Sequence, residues 1–317
     1  MNMEIFTLAK GERVTRPGIY AGIPLDDYHR GDICDGPSIS SSGLRTIFHD
    51  SPAEFWVHSR LNPLRVEESD KKHYTLGRAA HHLLLGEEAF STQFIIRPTK
   101  WKDWRKDDAQ EWRDQQIKKG FTVLVPDQIE QIRGMAGLLP WQKGLRDWGL
   151  ANNDLVCDGL LDGEIELSMF WKDKETGIWL KARPDAIPNA SGDFADLKTT
   201  QSTKTEAIEK AIRDYGYNQQ GALISEGAHV LLGYENTSFT LAWVEVDPPH
   251  IVRPEPIRDV DLARGELQNR AALRLFADCW ERGQWPGPGH ESAGVTVGLP
   301  PWDQKKIDDK LQLMGIK

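Results

Sequence analysis

The chain has 317 residues, with 39 lysines and arginines against 48 aspartates and glutamates, a formal net charge of −9. That length supplies ample core for one large domain or two small ones, and the acidic balance excludes a surface that is basic all over, so any nucleic-acid contact must be local. Three widely spaced cysteines (Cys34, Cys157, Cys279) without a C-x-x-C exclude a disulfide framework and a four-cysteine zinc or iron–sulfur site.

The first residues, M-N-M-E-I-F-T-L-A-K, lack the apolar run of a signal peptide, and no stretch approaches the roughly 20 apolar residues of a membrane span. A cytoplasmic protein with no membrane partner is the expectation. Residues 1–36 hold short extended pieces and read as an N-terminal arm. The serines at Ser40, Ser41 and Ser42 cap a helix carrying Leu44, Ile47 and Phe48. A second helix begins at Ser51-Pro52, with Phe55 and Trp56 on its buried face.

From Tyr74 to Glu88 the pattern is that of a buried helix in which Gly77, Ala80, His81 and Leu84 share one face, the small residues permitting close approach to a sheet. A histidine there serves either as a satisfied core residue or as a ligand. Residues 96–120 are the most basic and tryptophan-dense part, with Arg97, Lys100, Lys102, Arg105, Lys106 and Arg113 among Trp101, Trp104 and Trp112. Cations interleaved with aromatics suit a nucleic-acid track, and equally a solvated helix whose tryptophans pack inward. Residues 126–148 are helical, with Ile129, Ile132 and Met135 in step with Leu138 and Leu139.

The period then changes to two. E-I-E-L-S-M-F-W, from Glu164 to Trp171, alternates as a strand, residues 173–177 turn, and a second strand runs to Asp185. Ten residues later Asp196 and Lys198 stand two apart in another strand, hence on one face with Phe194, while Leu197 points away. The intervening Pro188, Asn189, Ser191, Gly192 and Asp193 supply turn chemistry and predict a hairpin that brings Asp185 beside Asp196. Two carboxylates and an ammonium fit a magnesium site, because that ion takes one or two carboxylates and completes its shell with water and phosphate. D-x-K by itself also describes an ordinary surface ion pair. Glu166 is placed to face the same site.

After Lys198, Thr203 and Glu206 match a capping box. Gly216 interrupts the helix that follows, and its continuation lets Gln220 look back toward the carboxylates. Thr240 to Val246 alternates as a further strand, and residues 262–280 form a long helix with Leu267, Leu273, Phe276 and Trp280 apolar. Residues 285–317 read as a docked Pro/Gly-rich tail, leaving 37–284 as a single domain.

The order of helix with G-x-x-x-H, strand with glutamate, strand ending R-P-D, strand with D-x-K and helix with glutamine resembles the PD-(D/E)XK nuclease superfamily, within it the RecE-like branch of phage and prophage exonucleases. The likeness runs from about Gly18 to Trp302, carried by I-S-S-S-G-L, S-P-A-E-F, L-G-R-A-A-H, E-L-S-M-F-W, L-K-A-R-P-D, D-L-K-T-T and L-P-P-W. It implies an α/β fold with a mixed central sheet flanked by helices, in an α-β-β-β-α-β core. It also implies hydrolysis of linear duplex DNA with Mg2+, for which Mn2+ substitutes, in a bacterial host cell.

By the same resemblance His81, Asp185, Asp196 and the main-chain carbonyl of Leu197 are metal ligands, with Glu166 a further acidic candidate. Lys198 positions the nucleophile, and Gln220 completes the catalytic set. DNA contact falls to Arg183, Lys100, Lys102, Arg105 and Trp104. Relatives often read Q-x-x-x-Y, whereas Ile224 stands four residues after Gln220. A single-strand annealing recombinase and a ring of identical subunits are the implied partners. A structure- or sequence-specific endonuclease and a catalytically silent DNA-binding module are the alternatives.

Overall fold

A computed structural model describes residues 4–66, 76–81, 90–136, 163–165, 167–188, 191–235, 237–289 and 298–316. Glu166, His82, Leu84, Leu138, Leu139 and Cys157 lie outside them. Two sheets organise the fold. One has five strands in the order Ile5–Thr7, Gly18–Ala21, Ser168–Lys172, Trp179–Ala182, Ser38–Ser40. The other has three: Asp193–Thr200 runs parallel to Ser238–Glu245, which pairs antiparallel with Val252–Pro256. Parallel and antiparallel pairings coexist, as expected of a mixed α/β fold.

The N-terminal arm is therefore less an arm than two strands of the larger sheet. Ile19 pairs with Met169, and Ile5 with Ile19. Phe170 meets Tyr20 edge-on and Tyr28 at a tilt at that end, with Trp179 in the same cluster. The strand expected from Glu164 to Trp171 is split, Gly163–Ile165 pairing with Ala186–Pro188 and Ser168–Lys172 with Trp179–Ala182. Its alternation survives the split: Leu167, Met169 and Trp171 enter the main core, while Phe170 enters the cluster on the opposite face.

The main core lies between the sheets and the helices Ser41–His49, Thr205–Tyr215, Tyr217–Leu232 and Asp259–Arg282. Trp171, Trp243, Phe194, Phe239 and Phe276 are fully buried there, each worth roughly 1.5–3 kcal/mol of transfer free energy. Glycine sets the closest helix crossing: a Cβ on Gly265 would stand 2.4 Å from the Asn218 carbonyl, so the helices Asp259–Arg282 and Tyr217–Leu232 touch backbone to backbone. Ser51 caps the helix Pro52–His58 by accepting from the Glu54 amide at 3.1 Å. Phe55 and Trp56 pack on Phe276 and Trp285.

Three local expectations fail. Thr203 does not cap Thr205–Tyr215: its amide and hydroxyl both go to the Glu245 carboxylate, at 2.7 and 2.9 Å. The Glu245 carboxylate takes both Thr203 donors, and the N-cap position falls on Lys204. Leu267 is largely exposed and Trp280 partly so: the buried face of the long helix runs through Leu262, Gly265, Asn269, Leu273 and Phe276 along its length, Leu267 lies off that face, and Trp280 stands in the last turn at its edge. Residues 301–313 of the tail form a helix with no buried residue, where a docked extended segment is expected.

Candidate active site

The strand Asp193–Thr200 carries the site because its two faces meet different layers. Phe194 sits in the main core with Leu223 and Ile224, and Asp196 and Lys198 continue that face toward a cleft. Leu197 turns the other way, into a second cluster with Ala79, Ala80, Ile129 and Met135. Ala79 and Ala80 are wholly buried, and a Cβ on Gly77 would lie 3.4 Å from the Thr199 hydroxyl. Small residues thus bring helical residues 76–81 down onto the strand. His81, at the end of this stretch, arrives with Nε2 at 2.8 Å from the Leu197 carbonyl and Nδ1 at 3.5 Å from Asp185 Oδ1.

Asp185 and Asp196 converge, though by a different route from the hairpin expected. Trp179–Ala182, Ala186–Pro188 and Asp193–Thr200 belong to three separate sheets. The Asp185 carboxylate closes the gap, accepting the Leu197 amide at 2.5 Å. Asp185 is 7% and Asp196 2% exposed, so both carboxylates are removed from bulk water.

Gln220 arrives from the helix Tyr217–Leu232. Gly216 makes this possible by ending the preceding helix in the left-handed region (φ 58°), where glycine carries no steric penalty. Gln220 Nε2 donates to Asp196 Oδ1 at 3.0 Å. Its neighbour Gln219 is fully buried and serves the core instead, bonding His49 at 2.8 Å and Asn269 at 3.2 Å. The position where relatives carry tyrosine holds Ile224, which is buried. A tyrosine nevertheless reaches the site from one turn upstream, the Lys198 ammonium lying 4.6 Å from the Tyr217 ring centre. Tyr217 is three residues before Gln220, and i,i+3 positions share a helix face, a signal present in the sequence but not read from it.

Electrostatics mark the cluster as short of positive charge. Burial, then the neighbouring Asp196, pushes the Asp185 carboxyl up to about 6. Lys198 pairs with Asp196 Oδ2. Burial alone lowers an ammonium pKa, but Asp196, Tyr217 and Asp185 together outweigh it and raise that of Lys198. Asp196 Oδ2 is buried and, beyond this ion pair, accepts no hydrogen bond. Among the described residues no group of three His, Cys, Asp or Glu side chains is arranged to hold a metal ion. The donor set nonetheless fits a hard divalent cation, which takes one or two carboxylates and fills the rest of its shell from carbonyl, water and substrate: two carboxylates, one imidazole and the Leu197 carbonyl stand together, one carboxylate oxygen still able to accept.

His81, Asp185, Lys198, Tyr217 and Gln220 line a cleft of about 380 Å3, with Arg45, Arg78 and Arg183 also on its wall. Arg183 donates to the Ile23 carbonyl at 2.7 Å. Lys100, Lys102, Arg105 and Trp104 do not line this cleft. Trp104 is held between Arg97 and Arg113, at 5.1 and 5.6 Å, and Trp101 and Trp112 pack against each other at 5.6 Å. The tryptophans of this segment thus face one another, and Lys100, Lys102 and Arg105 remain exposed.

The layout of the sheets and the convergence of R-P-D, D-x-K, histidine and glutamine define the PD-(D/E)XK nuclease class. The chain belongs to the family described as a PDDEXK-like domain of unknown function (DUF3799), whose model matches residues 40–293. Its fold is similar to the crystal structure of a Eubacterium rectale protein provisionally assigned as an exonuclease, with a TM-score of 0.52 at 13% identity over 84% of this chain and 92% of that one. A second solved structure, SSO0001, aligns at 15% identity over 66% of this chain and 88% of its own with a TM-score of 0.28. No curated protein matches. No described helix is long and apolar enough to cross a membrane.

Proposed function

We propose that the chain is a metal-dependent DNA exonuclease that hydrolyses phosphodiester bonds from the ends of linear duplex DNA, exposing single strands for recombination. The observation that supports this reading is the meeting of His81, Asp185, Lys198 and Gln220 in one cleft from separate elements of the fold, with Asp196 buried behind them and bonded to Lys198 and Gln220. Asp185, Asp196, His81 and the Leu197 carbonyl would hold a magnesium or manganese ion. Such an ion, when bound, neutralises charge developing on phosphate and acidifies water.

The protein's own groups supply the rest. Lys198, kept protonated by Asp196, acts as a donor that orients the attacking oxygen rather than as a free base. Gln220 holds the Asp196 carboxylate through Oδ1, and Oδ2 is the oxygen paired with Lys198. The Leu197 amide fixes Asp185 in the same way. Arg183 and the exposed Lys100, Lys102 and Arg105 beside Trp104 take the DNA backbone, restoring locally the charge that the chain as a whole lacks. In this reading the exposed strand passes to a single-strand annealing recombinase, and identical subunits assemble as a ring around the duplex.

The test compares linear and covalently closed duplex DNA in magnesium. The expected result is nucleotide release from linear DNA alone, abolished by chelation and reduced at least about a hundredfold by Lys198→Ala. Purified protein that leaves linear duplex intact in magnesium and manganese overturns the proposal. Cutting of closed circles moves it to an endonuclease of the same chemistry.

A further inference from the structure

Lys181 is a buried ammonium to which the reaction above assigns no task. It sits on the strand Trp179–Ala182, only 5% exposed. Its Nζ donates to the Tyr28 carbonyl at 2.7 Å and lies 5.1 Å from the Tyr28 ring centre. No described carboxylate forms an ion pair with it, and nearby Arg60 adds repulsion. Burial, the largest influence, lowers its pKa to about 8. His29 beside it is driven down to about 4, chiefly by burial and then by Lys181, and so brings no compensating charge at neutral pH. A buried cation without an anion costs several kcal/mol, a penalty that methionine at the same place avoids. Retaining the charge at that cost points to an anion that arrives from outside.

The position of Lys181 says where. It lines the cleft of the candidate active site and also a larger neighbouring cleft of about 870 Å3, and His29, Ser40 and Ser42 stand on both walls with it. The helix Ser41–His49 starts at this sill with no acidic residue in its first turn and no side-chain cap on its amides. Ser40 and Ser42 hydroxyls lie 3.0 Å apart there. Positive charge, two hydroxyls and the positive end of a helix together suit a phosphate diester.

We propose that Lys181, with Ser40, Ser42 and the first amides of the Ser41–His49 helix, binds a backbone phosphate of the substrate strand next to the one being cut, so that the strand crosses from the catalytic cleft into the larger one. This rests on the nuclease reading and adds to it a second phosphate subsite and a direction for the strand.

Binding of a short fluorescent linear duplex, with calcium in place of magnesium, is measured by anisotropy over a range of salt for wild type, Lys181→Met and Ser42→Ala, beside thermal unfolding of each. Lys181→Met is expected to weaken binding about tenfold, to reduce the slope of log affinity against log salt by about 1, and to keep or raise the melting temperature. Ser42→Ala, at an exposed position where folding is not at stake, is expected to weaken binding about threefold. A wild-type salt slope in Lys181→Met, or a lowered melting temperature that marks the lysine as structural, overturns the subsite while leaving the nuclease reading intact. Failure of wild type to bind or cut duplex sinks both.

Discussion

Lys198 and Lys181 are both lysines drawn into the interior on strands of one molecule, and their charges are held in opposite ways. Lys198 has Asp196 as an ion-pair partner and Asp185 near it, and its ammonium form is strengthened despite burial. Lys181 has a carbonyl and an aromatic ring, and its ammonium form is weakened. Lys198 is somewhat less buried than Lys181, yet burial pushes both ammonium groups down, and only Lys198 has carboxylates that reverse the sign. The difference separates a charge supplied by the fold from a charge that waits for a ligand.

The sharpest way to break this contrast is Asp196→Asn, which turns the surroundings of Lys198 into something closer to those of Lys181. The Lys198 amino group should then titrate lower than in wild type, as followed by NMR of labelled lysine. Activity on linear duplex should fall about a thousandfold, since one metal ligand and the partner of the orienting lysine go together. A variant within tenfold of wild type breaks the assignment.

A second approach is pH. Asp185 is raised from a usual value of 3.8 to about 6, so between those two values the folded protein binds more protons than the unfolded chain. The metal-free protein should therefore lose stability as pH rises through that window, by up to about 3 kcal/mol, and Asp185→Asn should remove the effect. Cation binding requires the ionised carboxylate, so metal affinity measured by calorimetry should fall about tenfold per pH unit below about 6. Affinity flat from pH 5 to 7 contradicts Asp185 as a ligand.

The mildest test acts from behind. Gly265→Ala places a methyl against the Asn218 carbonyl, two residues from Gln220. It should cost about 1–3 kcal/mol in chemical denaturation and lower activity several-fold while leaving metal affinity nearly unchanged. An equal loss of metal affinity would mean that the helix supports the carboxylates as much as the glutamine.

Much of the site was legible because its signals are local. Alternation puts Asp196 and Lys198 on one face and Leu197 on the other, and the small residues Gly77, Ala79 and Ala80 announce a helix lying on a sheet. Gln220 over Gln219 was legible from the motif, and the structure accounts for it: Gln219 is committed to His49 and Asn269. What stayed hidden depends on partners distant in sequence. Pairing of Ile5 with Ile19, and of Ser38 with Trp179, leaves no period to read, so the first residues resemble an arm. Thr203 reads as a cap because its true acceptor, Glu245, lies 42 positions away. Tyr217 carries no mark in the motif, whose tyrosine falls four residues after the glutamine and not three before it.

The paired amides at 219 and 220 also index the helix that bears them. Neighbouring positions on an α-helix are turned by about 100° from one another, so one amide keyed to Asn269 and the next keyed to Asp196 admit a single azimuth. Deleting one residue between Gly216 and Gln219 would turn Gln220 to the structural position and bring Gly221 to face Asp196, leaving a helix of nearly normal composition that no longer meets its acid. Length in this short stretch is therefore as much a part of the active centre as any side chain in it.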